Sequence, residues 1–274
     1  MVTARKAGTH LDEIVAARRK QVQEAQARVP LDALRREAEA RADRRDFAAA
    51  LAAEGFHVIA EMKRASPSRG LLCPRYRRRD IAQGYEAAGA SALSVLTEPR
   101  FFLGALEDLQ EARAAVQIPV LRKDFILGPY QVYESVAVGA DALLLIVAAL
   151  SDAELQDLIE LCRHLKIAAL VEVHTEDELE RARAAGASIL GVNNRDLKTL
   201  AVDLQTSFRL REKIPAGLTT VSESGIRTPA DLRKLAEAGY YAALVGERLM
   251  TQPDPGKALA ALREGLPAST APRR

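Results

Sequence analysis

Apolar residues recur along this chain with two different periods. In residues 9–28, Leu11, Ile14, Val15 and Val22 make a stripe among many charges, which predicts a helix that Pro30 ends. The stretch 31–53 repeats the pattern through Leu31, Leu34, Phe47 and Leu51, and Gly55 closes it. Both precede the first strand, so they lie outside any simple βα repeat and are expected to cover one end of the domain. From residue 56 the pattern changes. Short apolar, partly β-branched runs at 56–62, 91–96, 119–123, 141–147, 167–173, 188–193, 218–222 and 241–245 read as buried strands. Amphipathic stretches separate them at 80–89, 104–115, 130–138, 152–165, 176–185, 204–213 and 229–238, and a last one follows at 257–264.

Eight strands, each followed by a helix, predict an α/β fold of the closed parallel kind: a (β/α)8 TIM barrel with an N-terminal helical extension. The expected division is 1–55 for the extension packed on the barrel, 56–266 for the catalytic barrel and 267–274 for a frayed tail. Glycines at Ala88-Gly89, Val138-Gly139, Ala185-Gly186 and Ala238-Gly239 read as left-handed helix stops before strands. A doubly wound open sheet is the rival, but no Gly-rich dinucleotide fingerprint follows the first strand.

Bulk properties narrow the function. The 274 residues fit one barrel, and 48% hydrophobic with 28% charged residues is ordinary for a globular protein. The net charge of +2, from 39 basic and 37 acidic residues, argues against nucleic acid as a partner. Cys73, Cys162 and four scattered histidines form no disulfide or metal-ligand spacing. The N-terminus carries charge by residue 6 and no apolar signal core, and Asp141 interrupts the longest apolar run, Ala140 to Leu150. The expectation is a cytoplasmic protein without a membrane span.

The polar residues gather at the C-terminal ends of the strands, where barrel active sites sit. In Ala60-Glu61-Met62-Lys63-Arg64-Ala65-Ser66-Pro67-Ser68-Arg69-Gly70, Glu61 and Lys63 share one face of the first strand, and a turn-forming loop follows. By itself that stretch could end in a plain surface ion pair. But the third strand ends in Lys123, the fifth carries Glu172, and the sixth runs into Asn193-Asn194-Arg195. The seventh runs into Glu223-Ser224-Gly225 and the eighth into Gly246-Glu247-Arg248. A salt-bridged network closing the barrel top would account for so many charges less well than a site does, because each buried charge needs a partner to offset its desolvation. Ser224-Gly225 and Gly246-Glu247 fall in the two loops that commonly hold phosphate, and Ser66 could add a hydroxyl.

These residues resemble the indole-3-glycerol phosphate synthase family over nearly the whole chain. The resemblance rests on Ile59 to Ser68, Leu93 to Glu98, Leu121 to Phe125, Val171 to His174, Val192 to Leu197 and Ser222 to Ile226, in that order. The two leading helices are similar to the family's extension, which folds over the barrel mouth. One departure is Cys73-Pro74-Arg75-Tyr76-Arg77-Arg78-Arg79-Asp80, where the family carries an acidic segment; its arginines read as a solvated face. Glu247-Arg248 replaces a small polar pair that some members carry, which leaves the backbone donors intact.

The resemblance implies a substrate, 1-(2-carboxyphenylamino)-1-deoxyribulose 5-phosphate, and a decarboxylating ring closure of tryptophan biosynthesis. It implies that Lys123 is the general acid and Glu172 the base of the dehydration. Lys63 would place the substrate carboxylate or act as acid in a later step, and Glu61 would orient one of the lysines. Among the substrate-binding residues, Asn193 would hold a sugar hydroxyl and Arg195 polar or anionic groups. Ser66, Ser224, Gly225, Gly246 and Glu247 would line the phosphate pocket, with Glu223 beside them. No metal or organic cofactor is expected, since protons and positioning suffice. The partners implied are this small molecule and other tryptophan-pathway enzymes. A Schiff-base aldolase acting through Lys123, a phosphoribosylanthranilate isomerase and a non-catalytic phosphosugar-binding barrel remain as alternatives.

Overall fold

The structure, a computed structural model, describes residues 9–197 and 199–266. The tail 267–274 and residues 1–8 of the extension lie outside the described residues. Eight parallel strands close into a barrel in chain order: β1 (His57–Met62), β2 (Ala92–Leu96), β3 (Val120–Lys123), β4 (Ala142–Ile146), β5 (Ala168–Val173), β6 (Ile189–Asn193), β7 (Thr219–Glu223) and β8 (Ala242–Val245), which returns to β1. Each lies within a residue or two of its sequence-predicted range, since alternation of buried faces locates a barrel strand well.

That alternation builds two apolar cores. Ile59, Leu121, Leu144, Leu170, Ile189, Val221 and Leu244 point inward and fill the barrel. Their neighbours Val58, Leu143, Val171, Val173, Leu190 and Val245 point outward and pack with the surrounding helices. The predicted helix stops are of the left-handed kind: Gly89, Gly139, Gly186 and Gly239 have φ of 83°, 102°, 83° and 88°. Two small elements had no clear sequence signal. Ala65–Ser66 pairs antiparallel with Gly70–Leu71 in the loop after β1, and a four-residue helix, Glu247–Met250, follows β8.

Three helices precede β1: α1 (His10–Arg28), α2 (Leu31–Ala40) and α3 (Phe47–Ala52). The predicted single helix over 31–53 is therefore two. The chain leaves the helix at 41–46 because its charges serve a buried carboxylate far away in sequence. Asp141, at the entry to β4, accepts from Arg41 Nη2 at 2.8 Å, Arg45 N at 3.0 Å, Arg113 Nη1 at 3.2 Å and Val120 N at 3.0 Å. Asp46 then caps α3 by accepting from Ala49 N at 2.8 Å. Phe47 and Leu51 of α3 join the inner core, beside Ala92, Ala142 and Ala242 at the strands' N-terminal ends. Ile14 of α1 joins the same core from the opposite end, and Arg18 Nη2 reaches Asp124 Oδ2 at 2.6 Å just past β3. Among the described residues no helix is long and apolar enough to cross a membrane.

Candidate active site

Adjacent residues at the end of β3 take opposite directions. Arg122 points outward and is fully buried, with Nη2 2.9 Å from Asp124 Oδ2 and 2.8 Å from Glu134 Oε2, while its Nε donates to Thr97 Oγ1 at 3.1 Å. Alternation then sends Lys123 into the barrel mouth. Its Nζ lies 3.0 Å from Glu172 Oε2 and 3.3 Å from Glu223 Oε2. Lys63 is held separately, with Nζ donating to Glu61 Oε1 at 2.6 Å. At contact distance the mouth thus holds two lysine–carboxylate groups, with Glu61 still near enough to act on Lys123 through its charge.

Strand register makes room for these acids. Glu172 pairs with Gly191 on β6, and Asn193 pairs with Glu223 on β7. A Cβ at Gly191 would overlap Glu223 Oε1, and one at Gly246 would overlap Glu61 Oε1. Both glycines are spaces occupied by carboxylates.

Burial alone would lower the proton affinity of Lys123, but Glu172, Glu223 and Glu61 outweigh it and hold the ammonium well above its ordinary range. Burial likewise pushes Glu172 upward, yet Lys123 and His174 overcome this and keep it below the usual carboxylate value. Glu223 goes the other way. Its burial dominates over the pull of Lys123, the repulsion of Glu172 adds to it, and the carboxyl is pushed up to about 7. The site therefore holds an ammonium, a firm carboxylate and a carboxyl poised near neutrality.

Two cavities flank this cluster. A polar one of about 250 Å³ is lined by Arg69, Arg195, Gly225, Arg227, Glu247 and Arg248, among others. Its β7 loop is strained: Ser224 and Gly225 have φ of 67° and 80°, and Asn194 Nδ2 braces them by donating to Glu223 O at 2.9 Å and Ser224 O at 3.1 Å. Glu247 lies 3.4 Å from Arg195 Nη2 and 3.8 Å from Arg69 Nη1, an anion among cations. The second cavity is smaller and apolar. Leu11 and Ile14 of α1, Phe102, Phe125 and Leu197 line it, and the two phenylalanine rings sit 6.2 Å apart. Ser66 lines this apolar cavity and not the polar one, while Arg195 borders both.

Sequence reasoning missed several neighbours of the site. Arg18 and Asp124 fasten α1 beside Lys123, and His174 stands behind Glu172 with Nε2 3.4 Å from Oε1. Arg18 gave no signal, since its partner is 106 positions away; the strand alternation puts His174 on the face of Glu172 but gives it no role. The arginine run is also not uniformly solvated. Arg75, Arg77 and Arg79 are exposed, but Arg78 forms ion pairs with Asp108 and, at 3.0 Å, with Glu111. Among the described residues no group of three or more His, Cys, Asp or Glu is placed to hold a metal ion.

A closed parallel barrel with paired lysines and carboxylates at its C-terminal mouth makes this a TIM-barrel enzyme. Its fold is shared with a solved 3-hexulose-6-phosphate synthase, at a TM-score of 0.62 and 17% identity, covering 77% of this chain and all of that one. The indole-3-glycerol phosphate synthase family model matches residues 11–262. Curated proteins of that name are similar over most of their length. The one from Albidiferax ferrireducens is 50% identical, covering 92% of this chain and 97% of its own. Those from Verminephrobacter eiseniae and Mycolicibacterium vanbaalenii are each 51% identical, over 92% and 93% of this chain and 98% and 93% of theirs. The chain belongs to the indole-3-glycerol phosphate synthase family.

Proposed function

We infer that the chain converts 1-(2-carboxyphenylamino)-1-deoxyribulose 5-phosphate into indole-3-glycerol phosphate, carbon dioxide and water. The observation that carries the reading is Lys123 held between Glu172 and Glu223 at the barrel mouth, in a chain of this family. Two acids keep Lys123 in its ammonium form, so it carries the proton to be donated, and Glu172 beside it is ionised and so has a place to accept one. The phosphate goes to the polar cavity, where Arg195, Gly225 and Glu247 lie, with Ser224 and Gly246 supplying backbone. The aryl ring goes to the apolar cavity with Ser66, and Arg195 spans the two.

In this pose Lys63, steadied by Glu61, pairs with the substrate carboxylate. Lys123 protonates the C2′ oxygen as the aryl carbon attacks C2′. Loss of carbon dioxide restores the aromatic ring. Lys63, freed when the carboxylate is lost, then gives the proton with which the C2′ hydroxyl leaves as water, while Glu172 takes the C1′ proton, and the indole is complete. Asn193 holds a sugar hydroxyl, and Glu223 shares its proton with the Lys123 group. The segment 1–55 acts as an extension whose first helix closes the aryl cavity. The enzyme works in the cytoplasm, and contact with other tryptophan-pathway enzymes would fall on the exposed Arg75, Arg77 and Arg79.

Incubation of the purified chain with the anthranilate-ribulose phosphate should give indole fluorescence and one carbon dioxide per indole. Saturable binding without either product would leave only a phosphosugar-binding barrel. Borohydride trapping of substrate on Lys123 would instead favour the aldolase reading.

A further inference from the structure

Glu172 has two oxygens, and only one of them faces Lys123. Oε2 accepts from Lys123 Nζ at 3.0 Å, whereas Oε1 faces His174 Nε2 at 3.4 Å. His174 is continuous with β5 and lies two residues past Glu172, so both side chains fall on one face. On its other side the ring meets helix α4 (Glu176–Ala184). Glu178, in the first turn of α4, accepts from His174 Nδ1 at 3.1 Å and from the His174 backbone N at 2.6 Å. A carboxylate can only accept, so Nδ1 carries a proton in that contact. Thr175 caps α4 by accepting from Glu178 N at 3.2 Å, which fixes the helix start relative to the strand.

The result is a buried row, Glu178–His174–Glu172, leading from the first turn of a helix to the base at the barrel mouth. Glu172 is 1% exposed, His174 10% and Glu178 16%, so solvent screens these charges little. We propose that His174, held by Glu178, is a positioning residue that fixes Glu172 Oε1 and presents Oε2 alone to the reacting substrate. The proposal rests on the reading of Glu172 as the base. As an imidazolium, His174 also favours the ionised form of Glu172, adding to Lys123 from the other side. The charged groups facing His174 are Glu172 on its own strand, Glu178 on α4 and Glu223 on β7, with Lys123 on β3 beyond Glu172. Burial opposes its protonation, and those carboxylates outweigh it and raise its proton affinity.

The test is a set of kcat and KM profiles from about pH 3.5 to 9 on the full chain, with indole release as the readout. His174→Asn keeps a donor towards Glu178 but cannot reach Glu172. It should lower kcat about tenfold on the acid limb, moving that limb up by about one unit as Glu172 loses a cation, and leave KM within threefold. Glu178→Gln should move the limb the same way by less. His174→Gln, which restores a neutral donor towards Glu172, should recover part of kcat while the limb stays displaced. An acid limb within 0.2 unit of wild type in His174→Asn would overturn the proposal, as would an equal, pH-independent loss accompanied by a lower melting temperature. Glu172→Gln separates the two readings. If it turns over normally, the base assignment fails and the His174 role goes with it. If it is inactive while His174→Asn keeps its limb, the role of His174 alone fails.

Discussion

Alanine at position 191 would put a methyl group into space that the Glu223 carboxylate now fills. The new Cβ would overlap Oε1 and lie 3.3 Å from both Glu223 Cδ and Leu170 Cδ1, so neither neighbour leaves slack. Relief requires the carboxylate to retreat by roughly 1 Å, a displacement that can cost ~100-fold in rate when it disturbs reacting groups. The Lys123–Glu223 distance, now 3.3 Å, would then open beyond ion-pair range and leave Lys123 paired with Glu172 alone. Overpacking of this kind costs about 1–3 kcal/mol, and in a chain of this size each kcal/mol moves Tm by ~2–4 °C. Gly191→Ala should therefore melt several degrees lower and lose at least tenfold in kcat, measured by thermal unfolding and by indole fluorescence. A variant with wild-type Tm and kcat within twofold would refute the claim that Gly191 is kept small for Glu223.

Two other substitutions probe separate parts of the account. Glu223 is raised from 4.5 to about 7 by burial, so the native state favours its protonated form; that contribution is full below pH 4.5 and lost as pH rises through about 7. Glu223→Gln should gain in Tm relative to wild type between pH 5 and 8, and a difference that stays flat would contradict the burial argument. Arg78→Ala leaves Asp108 buried without its cation and should cost about 1–3 kcal/mol, read by urea unfolding, whereas exposed Arg77→Ala should fall within about 0.5 kcal/mol. Both should keep kcat within a few-fold of wild type, and a large loss would place the arginine run on the substrate.

The barrel was legible because its signal is local: alternating buried faces and left-handed glycines mark strands and helix ends without knowledge of neighbours. Strand-end chemistry was legible for the same reason, since Glu61, Lys123, Glu172 and Glu223 occupy inward positions of their own strands. What stayed hidden depends on distant partners. The break at 41–46 exists because Arg41 and Arg45 serve Asp141, about a hundred residues later, and Asp141 itself looked only like an interruption of an apolar run. Arg122 and Lys123 are adjacent cations, and only the buried Asp124 and Glu134 identify the first as structural. The hairpin at Ser66 depends in the same way on residues further along, since Ala65–Ser66 pairs with Gly70–Leu71 and sets Ser66 on the edge of the apolar cavity.

The central claim is that Lys123 donates the proton that starts ring closure, with Glu172 as its separate counterpart. The most direct measurement is single-turnover kinetics of Lys123→Met, following carbon dioxide and indole, alongside substrate binding by equilibrium titration. Methionine keeps most of the side-chain volume and removes the donor, and loss of a general acid costs ~10²–10⁴-fold. The account predicts a folded variant that binds substrate but releases carbon dioxide at least a hundredfold more slowly than wild type. Carbon dioxide release at half the wild-type rate would contradict it and pass the acid role to Lys63.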